Sequence, residues 1–302
     1  MRTLLLGVIL SFAATTTGFA QEKQRFTDQI SQAQSSVVQV LEIIEDVQAI
    51  RDASLRNRIL ALGQGAPGGF PEKIVIGTGV IVGTSGEVIT ANHVITYLLQ
   101  DISVINAAGG RVAGLIGVVE RPAQTSTGTE IFGNSRTYSL TVLAQDPIHD
   151  LALIRAANSD IFAPTRVVKS PGYAPQSARI ASISEKHLED GEDIFVCGFP
   201  NWSDSLITTS GRVATAWSSE GVPDQNNGID EVDKIKLDIR INSGNSGGPV
   251  FDSDDGSLVA IVEGVQSGAV SSGGLGIAIP AKYVTELLDR QHVKWNASSV
   301  SR

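Results

Sequence analysis

Three short segments of this chain carry the residue types that acyl transfer requires. Thr90-Ala91-Asn92-His93-Val94 supplies an imidazole at the close of an apolar stretch. Asp150-Leu151-Ala152-Leu153-Ile154 supplies a carboxylate at the opening of another, and Gly244-Asn245-Ser246-Gly247-Gly248-Pro249 a hydroxyl among glycines. A serine hydroxyl is a weak nucleophile until an imidazole accepts its proton, and the imidazole serves best when a buried carboxylate fixes its tautomer. Glycines around Ser246 leave room for backbone N–H groups to face a developing oxyanion.

Each role has competitors. Of the four histidines, His149 adjoins Asp150, and neighbours on a strand point to opposite faces, so His149 turns away from the aspartate's working side. His187 lies in a charged stretch and His292 in the tail, and both read as surface residues. His93 is the base. Asp146 precedes Pro147 and reads as turn chemistry, whereas Asp150 opens an apolar strand that would bury its carboxylate and leave it needing an imidazole N–H. Ser243 lacks the flanking Gly-Gly, which leaves Ser246 as nucleophile. Cys197, the only cysteine, excludes an intramolecular disulfide and reads as a buried core residue within Ile194–Pro200. Asp252, Asp254 and Asp255 precede Gly256 with a spacing that falls short of a calcium loop, so a hairpin turn is expected there. No cluster of metal ligands is legible, and neither a metal nor a cofactor is expected.

The four segments Gly77–Val82, Thr90–Val94, Asp146–Ile154 and Ile241–Pro249 resemble those of trypsin-like serine peptidases, in particular the HtrA/Deg branch. Gly274-Leu275-Gly276-Ile277-Ala278-Ile279-Pro280 is similar to the strand that closes the second barrel of that branch, so the resemblance runs over roughly residues 75 to 285. It implies an all-β fold of two six-stranded antiparallel barrels, and it places the oxyanion donors at the backbone N–H groups of Gly244 and Ser246. It implies that Arg240, six residues before Ser246, stands where cleavage after Lys or Arg would need an aspartate, so a basic P1 residue is disfavoured. Ile261-Val262-Glu263-Gly264 would line the substrate channel and favour a small or medium aliphatic P1 side chain. Glu263 departs from the small polar residue usual there. The resemblance also raises a homo-oligomer, a trimer, although residues 21 to 34 offer Phe26 alone as an aromatic anchor.

The elements that must position these residues follow from pattern. The chain has 302 residues, 42% of them hydrophobic, enough for a substantial core. Its net charge of −9 argues against a nucleic-acid partner. Arg2, the apolar run Leu4 to Ala14 and Gly18-Phe19-Ala20 read as a signal peptide over 1–20, with the mature chain starting at Gln21 in the periplasm or outside the cell. The run is short for a bilayer, so no stable membrane insertion is expected; an uncleaved anchor is the rival reading.

Residues 21–34 form a polar extension with helical character. Ser35 to Ile43 fits either a helix continuing from residue 24, with Ile30, Val37, Val40, Leu41 and Ile44 on one face, or a strand, which β-branched enrichment favours. A helical insertion over 45–66 and a loop from Gly63 to Pro71 follow. Strands are expected at Ile74–Val82, Glu87–Thr90, Asp101–Ile105, Arg111–Glu120, Tyr138–Leu143 and Leu151–Arg155, with Ala107-Ala108-Gly109-Gly110 as a hairpin turn and 121–136 as a loop. Further strands are expected at Ile194–Cys197, Ser205–Ala214, Lys234–Asp238, Gly248–Asp252, Leu258–Val265 and Gly276–Ile279, with Ser218 to Glu231 a loop on the specificity side. A closing helix over 281–291 turns Tyr283, Val284, Leu287 and Leu288 inward. The peptidase domain thus covers 35–291, with barrel one at about 35–165, barrel two at about 175–280, and a tail, 292–302, too short for the PDZ domain that follows many HtrA peptidases.

The leading functional reading is an exported serine endopeptidase acting on polypeptides. A latent peptide-binding or regulatory protein on the same fold, gated by the insertions at 45–72 and 121–136, is the alternative. A narrower enzyme that cleaves itself or one dedicated partner is a third.

Overall fold

The computed structural model describes residues 23–62, 74–118, 136–157, 159–163, 177–202, 205–223, 228–266 and 274–299. The expected signal peptide, the loop at 63–71 and nearly all of the 121–136 loop lie outside them. Six strands, β1 (Val37–Glu45), β2 (Ile74–Ile81), β3 (Glu87–Ala91), β4 (Arg111–Val118), β5 (Arg136–Asp146) and β6 (Leu151–Ala156), close an antiparallel barrel in the order β1-β2-β3-β6-β5-β4. The ambiguous segment at 35–43 is therefore strand, as its β-branched residues favour.

β6 shows why the sequence builds a buried strand. Ala152 and Ile154 join the cluster around Val38, Ile81, Val88 and Ile116. Leu151 and Leu153 point the other way, into a cluster that reaches Phe195, Phe251, Ile261 and Leu288. Both faces of the strand are covered, so the run is apolar throughout rather than alternating.

A second sheet holds eight strands: β7 (Ser182–Ile183), β8 (Asp193–Gly198), β9 (Ile207–Pro223), β10 (Ile229–Asp238), β11 (Pro249–Asp252), β12 (Leu258–Val265), β13 (Gly276–Pro280) and β14 (Asn296–Ala297). β11 pairs with both β8 and β12, so six of these strands return on themselves around Val196, Leu237, Val250, Val262 and Ala278, while β7 and β14 extend one side. The all-β architecture of two packed bodies agrees with the expectation.

Helix α1, over residues 23–34, docks on its own second sheet: Phe26 meets Phe195 edge-on at 6.0 Å, and Gln29 and Arg25 donate to the Asp254 carbonyl. Helix α2 (Ala53–Leu62) belongs to the insertion after β1. It seats Ile59 and Leu55 on Ile44, Val47, Ile50 and Ile105 and so packs on the outside of the barrel. Helix α4 (Ala281–Arg290) buries Val284, Leu287 and Leu288, with Tyr283 half-buried beside them.

Two expectations are overturned. Asp101–Ile105 is not a strand but the last part of helix α3 (Asn92–Ala107), which buries Val94, Ile95, Leu98 and Ile105. The β-branched residues of a five-residue window looked extended, while the helical spacing becomes legible only when read from Val94. Ala107 to Gly110 accordingly ends that helix: Gly110 N–H donates back to the Ile105 carbonyl at 3.0 Å. Residues 218–223 and 229–231, expected as loop, are strand. Ser218 to Pro223 and Ile229 to Lys234 pair as the outer half of the β9–β10 ribbon. Its exposed faces carry Glu220, Asp230 and Glu231, so neither side needs the apolar alternation that marks a half-buried strand.

Glu42, on β1, is buried against Asp101 of α3, and burial followed by the charge and hydrogen bond of Asp101 pushes its pKa up to about 7. An acid whose folded pKa is raised stabilises the fold in its protonated form. That contribution is complete below the unfolded value of about 4.3 and is lost as the pH rises through about 7. The thermal midpoint of the wild type is therefore expected to fall between about pH 5 and 7.5, and Glu42→Gln should flatten that slope in melts recorded across the range. An unchanged slope in the variant would exclude Glu42 as its source.

Candidate active site

His93 is the second residue of α3, and the helix presents it at the edge of the first barrel. The N-cap residue, Ala91, has no side chain to satisfy the free N–H groups of the first turn. Asp150 satisfies them from another element. Its Oδ1 accepts the His93 N–H at 2.8 Å and its carbonyl accepts the Asn92 N–H at 2.9 Å. The same carboxylate holds His93 Nδ1 through Oδ2 at 2.7 Å. A carboxylate at the positive end of a helix dipole is doubly favoured, by charge and by hydrogen bonding. With Nδ1–H donated to Asp150, the Nε2 lone pair is the free basic site.

Asp150 itself sits in a turn with φ of +51°, a conformation that Asp tolerates better than most residues. It is that turn, rather than the strand alternation expected from sequence, that parts it from His149. His149 instead meets Asp146, whose Oδ1 accepts its N–H at 3.2 Å and whose Oδ2 lies 3.0 Å from Nδ1. His149 also stacks on Tyr283 at 4.0 Å, and Arg290 of α4 pairs with Asp146. Burial alone would raise the Asp146 pKa, but the bonds from His149 and Arg290 hold it well below the carboxylate range. The turn carrying Asp150 is thereby pinned to α4. His187 and His292 are exposed, as expected.

Ser246 follows the loop from β10 and precedes β11. Gly244 and Gly247 take φ of +93° and +80°, which an L side chain rarely adopts. The loop is bolted to β2 by one buried residue: Thr78 Oγ1 donates to the Gly244 carbonyl at 2.7 Å and accepts from Phe199 N–H at 3.1 Å, while its N–H donates to the Ser246 carbonyl at 2.9 Å. Gly247 N–H donates to the Val262 carbonyl at 2.8 Å. Among the described residues the N–H groups of Gly244 and Ser246 donate to no protein acceptor, leaving both free for a ligand oxygen.

The Ser246 hydroxyl donates to the carbonyl of Glu263 at 3.1 Å, and no hydrogen bond joins it to His93. Glu263 pairs with Lys234 at 2.7 Å. Burial acts against the charged imidazole, yet the bond and charge of Asp150, with the charge of Glu263, set the His93 pKa above its ordinary value.

The expected specificity residues divide. Ile261 and Val262 are wholly buried in the core and expose no surface that could line a channel, and the Val262 N–H and carbonyl are bonded to Gly248 and Gly247, against the expectation from sequence. A Cβ on Gly264 would meet nothing within 4 Å, so this position borders open space. Arg240 is exposed. Sequence reasoning missed Thr78 and Lys234. Thr78 lies inside the Gly77-Thr78-Gly79 segment and could have been singled out as a buried hydroxyl needing partners. Lys234 carries no local signal. Among the described residues no group of three or more His, Cys, Asp or Glu could hold a metal ion, and no helix is long and apolar enough to cross a membrane.

Residues 77–261 match the family described as "Trypsin-like peptidase domain", and the chain belongs to that family. It is 27% identical over 228 residues to a probable periplasmic serine endoprotease DegP-like of Marinomonas sp. (strain MWYL1), covering 76% of this chain and 38% of that protein. It is also 27% identical over 234 residues to the serine protease PepD of Mycobacterium tuberculosis (strain ATCC 25618 / H37Rv), covering 74% of this chain and 43% of PepD. The chain thus spans less than half the length of these relatives. The crystal structure of Deg5 shares the fold, with a TM-score of 0.51 at 18% identity over 88% of this chain and 92% of that one.

Proposed function

We propose that the protein is an exported serine endopeptidase of the HtrA type, with His93, Asp150 and Ser246 as its triad. The observation that carries this reading is the pair of contacts from Asp150 to His93, which leaves Nε2 basic, beside two unengaged N–H groups at Gly244 and Ser246. Ser246 Oγ attacks a peptide carbonyl carbon while His93 Nε2 takes its proton. The carbonyl oxygen moves onto the N–H groups of Gly244 and Ser246. His93 then gives the proton to the leaving amine, and water, activated by the same imidazole, hydrolyses the acyl-enzyme. Because the imidazolium is favoured, the free base accumulates above the usual range near pH 6.5, and the rate should climb through that higher value.

Polypeptide is the substrate, with a non-basic P1 residue. Export rests on residues 1–20 acting as a signal peptide, and the names of the DegP-like relatives accord with a periplasmic location. A gated variant of the same reading is favoured by one observation: the Ser246 hydroxyl rests on the Glu263 carbonyl rather than on His93.

A fluorophosphonate probe applied to wild type and Ser246→Ala, followed by unfolded casein, tests this. Labelling and cleavage present in wild type and both lost in the variant are expected. Labelling without casein cleavage would favour a gated or dedicated protease. A folded wild type that takes no label would overturn the enzyme reading.

A further inference from the structure

Lys234 and Glu263 form an ion pair, buried at the lysine and partly exposed at the glutamate, that the triad chemistry does not call for. Lys234 is only 3% exposed, and its ammonium lies 2.7 Å from Glu263 Oε2. Both residues sit at irregularities in the strand register. β12 pairs Val262 with Ala278 and Gly264 with Ile277, so Glu263 is the extra residue of a bulge. β10 pairs Lys234 with Ser218 and Lys236 with Thr215, another register shift. A bulge re-aims the side chain it carries, and bulges gather beside active sites. Burying the Lys234 ammonium costs desolvation that one partly exposed partner barely repays, so a lysine at this position calls for a reason other than stability.

The surroundings supply one. The backbone carbonyl of Glu263 receives the Ser246 hydroxyl at 3.1 Å, which fixes this residue beside the nucleophile. Its charge helps to raise the His93 pKa, and the charge of Asp150 in turn raises its own. The charged groups acting on His93 are Asp150 and Glu263; those acting on Glu263 are Lys234, Asp150 and Glu220. The ring of Tyr97 meets His93 edge-on at 6.0 Å and brings no charge.

We propose that Glu263, clamped by Lys234, is a positioning residue for His93: a second carboxylate beside that of Asp150, stabilising the imidazolium formed when Ser246 gives up its proton. Lys234 holds this carboxylate in place and favours its charged form, working against burial and two neighbouring carboxylates, which together still set the Glu263 pKa above the ordinary carboxylate value. The role rests on the serine-peptidase reading, and its test can be separated from that reading.

The rate of fluorophosphonate labelling across about pH 5 to 9 reports the free imidazole of His93. Glu263→Gln keeps the backbone carbonyl and removes the charge. Its acid limb is expected about one unit below that of wild type, because the imidazolium loses a neighbouring anion. Glu286→Gln removes equal charge from an exposed site on α4, and screening should leave its limb within about 0.2 units of wild type. Should Glu263→Gln fail to fold with Lys234 left unpaired, the double variant Lys234→Met/Glu263→Gln removes that stranded charge, and the same downward shift is expected. NMR titration of the His93 ring in Ser246→Ala, with and without Glu263→Gln, reads the same shift without needing turnover. If wild type takes no label while the ring titration still moves, the positioning role stands and the peptidase reading falls. A folded variant whose ring titration coincides with that of its parent overturns the proposal.

Discussion

Ser246→Ala and His93→Ala are each expected to slow peptide hydrolysis about 10⁶-fold, and the double variant to be no slower than either alone. In the proposed mechanism the two side chains act as one unit: without the imidazole the hydroxyl keeps its proton, and without the hydroxyl the imidazole has none to take. What survives comes from the N–H groups of Gly244 and Ser246, which alanine at 246 leaves in place, and from substrate binding. Folding should be little changed. Ser246 loses one hydrogen bond to the Glu263 carbonyl, worth about 1 kcal/mol, and the His93 side chain is already one-third exposed at 33%. Asp150→Asn should cost about 10⁴-fold. Asn accepts the left-handed backbone as Asp does and still caps α3, but it no longer offers an anion to Nδ1–H. Single-turnover assays with the purified variants check all four. Losses that multiplied in the double variant would mean that His93 and Ser246 do not work together.

Gly247→Ala is expected to be the most destabilising single substitution near the site, at about 3–6 kcal/mol. Two costs combine. The backbone holds φ of +80°, and a methyl group would run into Thr90 Oγ1 and the Thr78 carbonyl while sitting 2.6 Å from the Ala91 nitrogen. Those neighbours lie within β2 and at the end of β3 and cannot step aside, because Thr90 Oγ1 donates to the Thr78 carbonyl at 2.7 Å and both threonines are fully buried. Gly191 separates the two effects. Its φ of +87° imposes similar strain, yet a Cβ there meets nothing within 4 Å, so Gly191→Ala should cost only about 1–2 kcal/mol. Thermal melts should place Gly247→Ala about 10–20 °C below wild type. A midpoint equal to that of Gly191→Ala would show that the nucleophile loop is not clamped between the strands.

Much of the candidate site could be read from the chain. A hydroxyl among glycines, an imidazole after a strand and a carboxylate before one are chemical requirements written in short contiguous segments, and the folded chain joins His93 to Asp150 through both backbone and side chain. The buried strands were equally legible, because residues such as Leu151 to Ile154 must be apolar on both faces wherever the strand lies. Local windows failed where partners lie elsewhere. Asp101–Ile105 looked extended until joined to the turn of helix beginning at Asn92, and the outer end of the β9–β10 ribbon, with Glu220, Asp230 and Glu231 exposed, carries no burial pattern to read.

The sequence by itself determined the chemistry on offer and the type of most elements, since both follow from side-chain identity and spacing along the chain. Only the tertiary structure decided the contacts that tune that chemistry. Thr78 ties the nucleophile loop across 166 residues of chain to Gly244, Arg290 reaches 144 residues back to the Asp150 turn, and Lys234 meets Glu263 through two shifts of strand register. Each is a pairing between strands or helices remote in sequence, and a one-residue change of register would undo it. No local propensity encodes such a choice; the packing of two closed sheets against each other selects it.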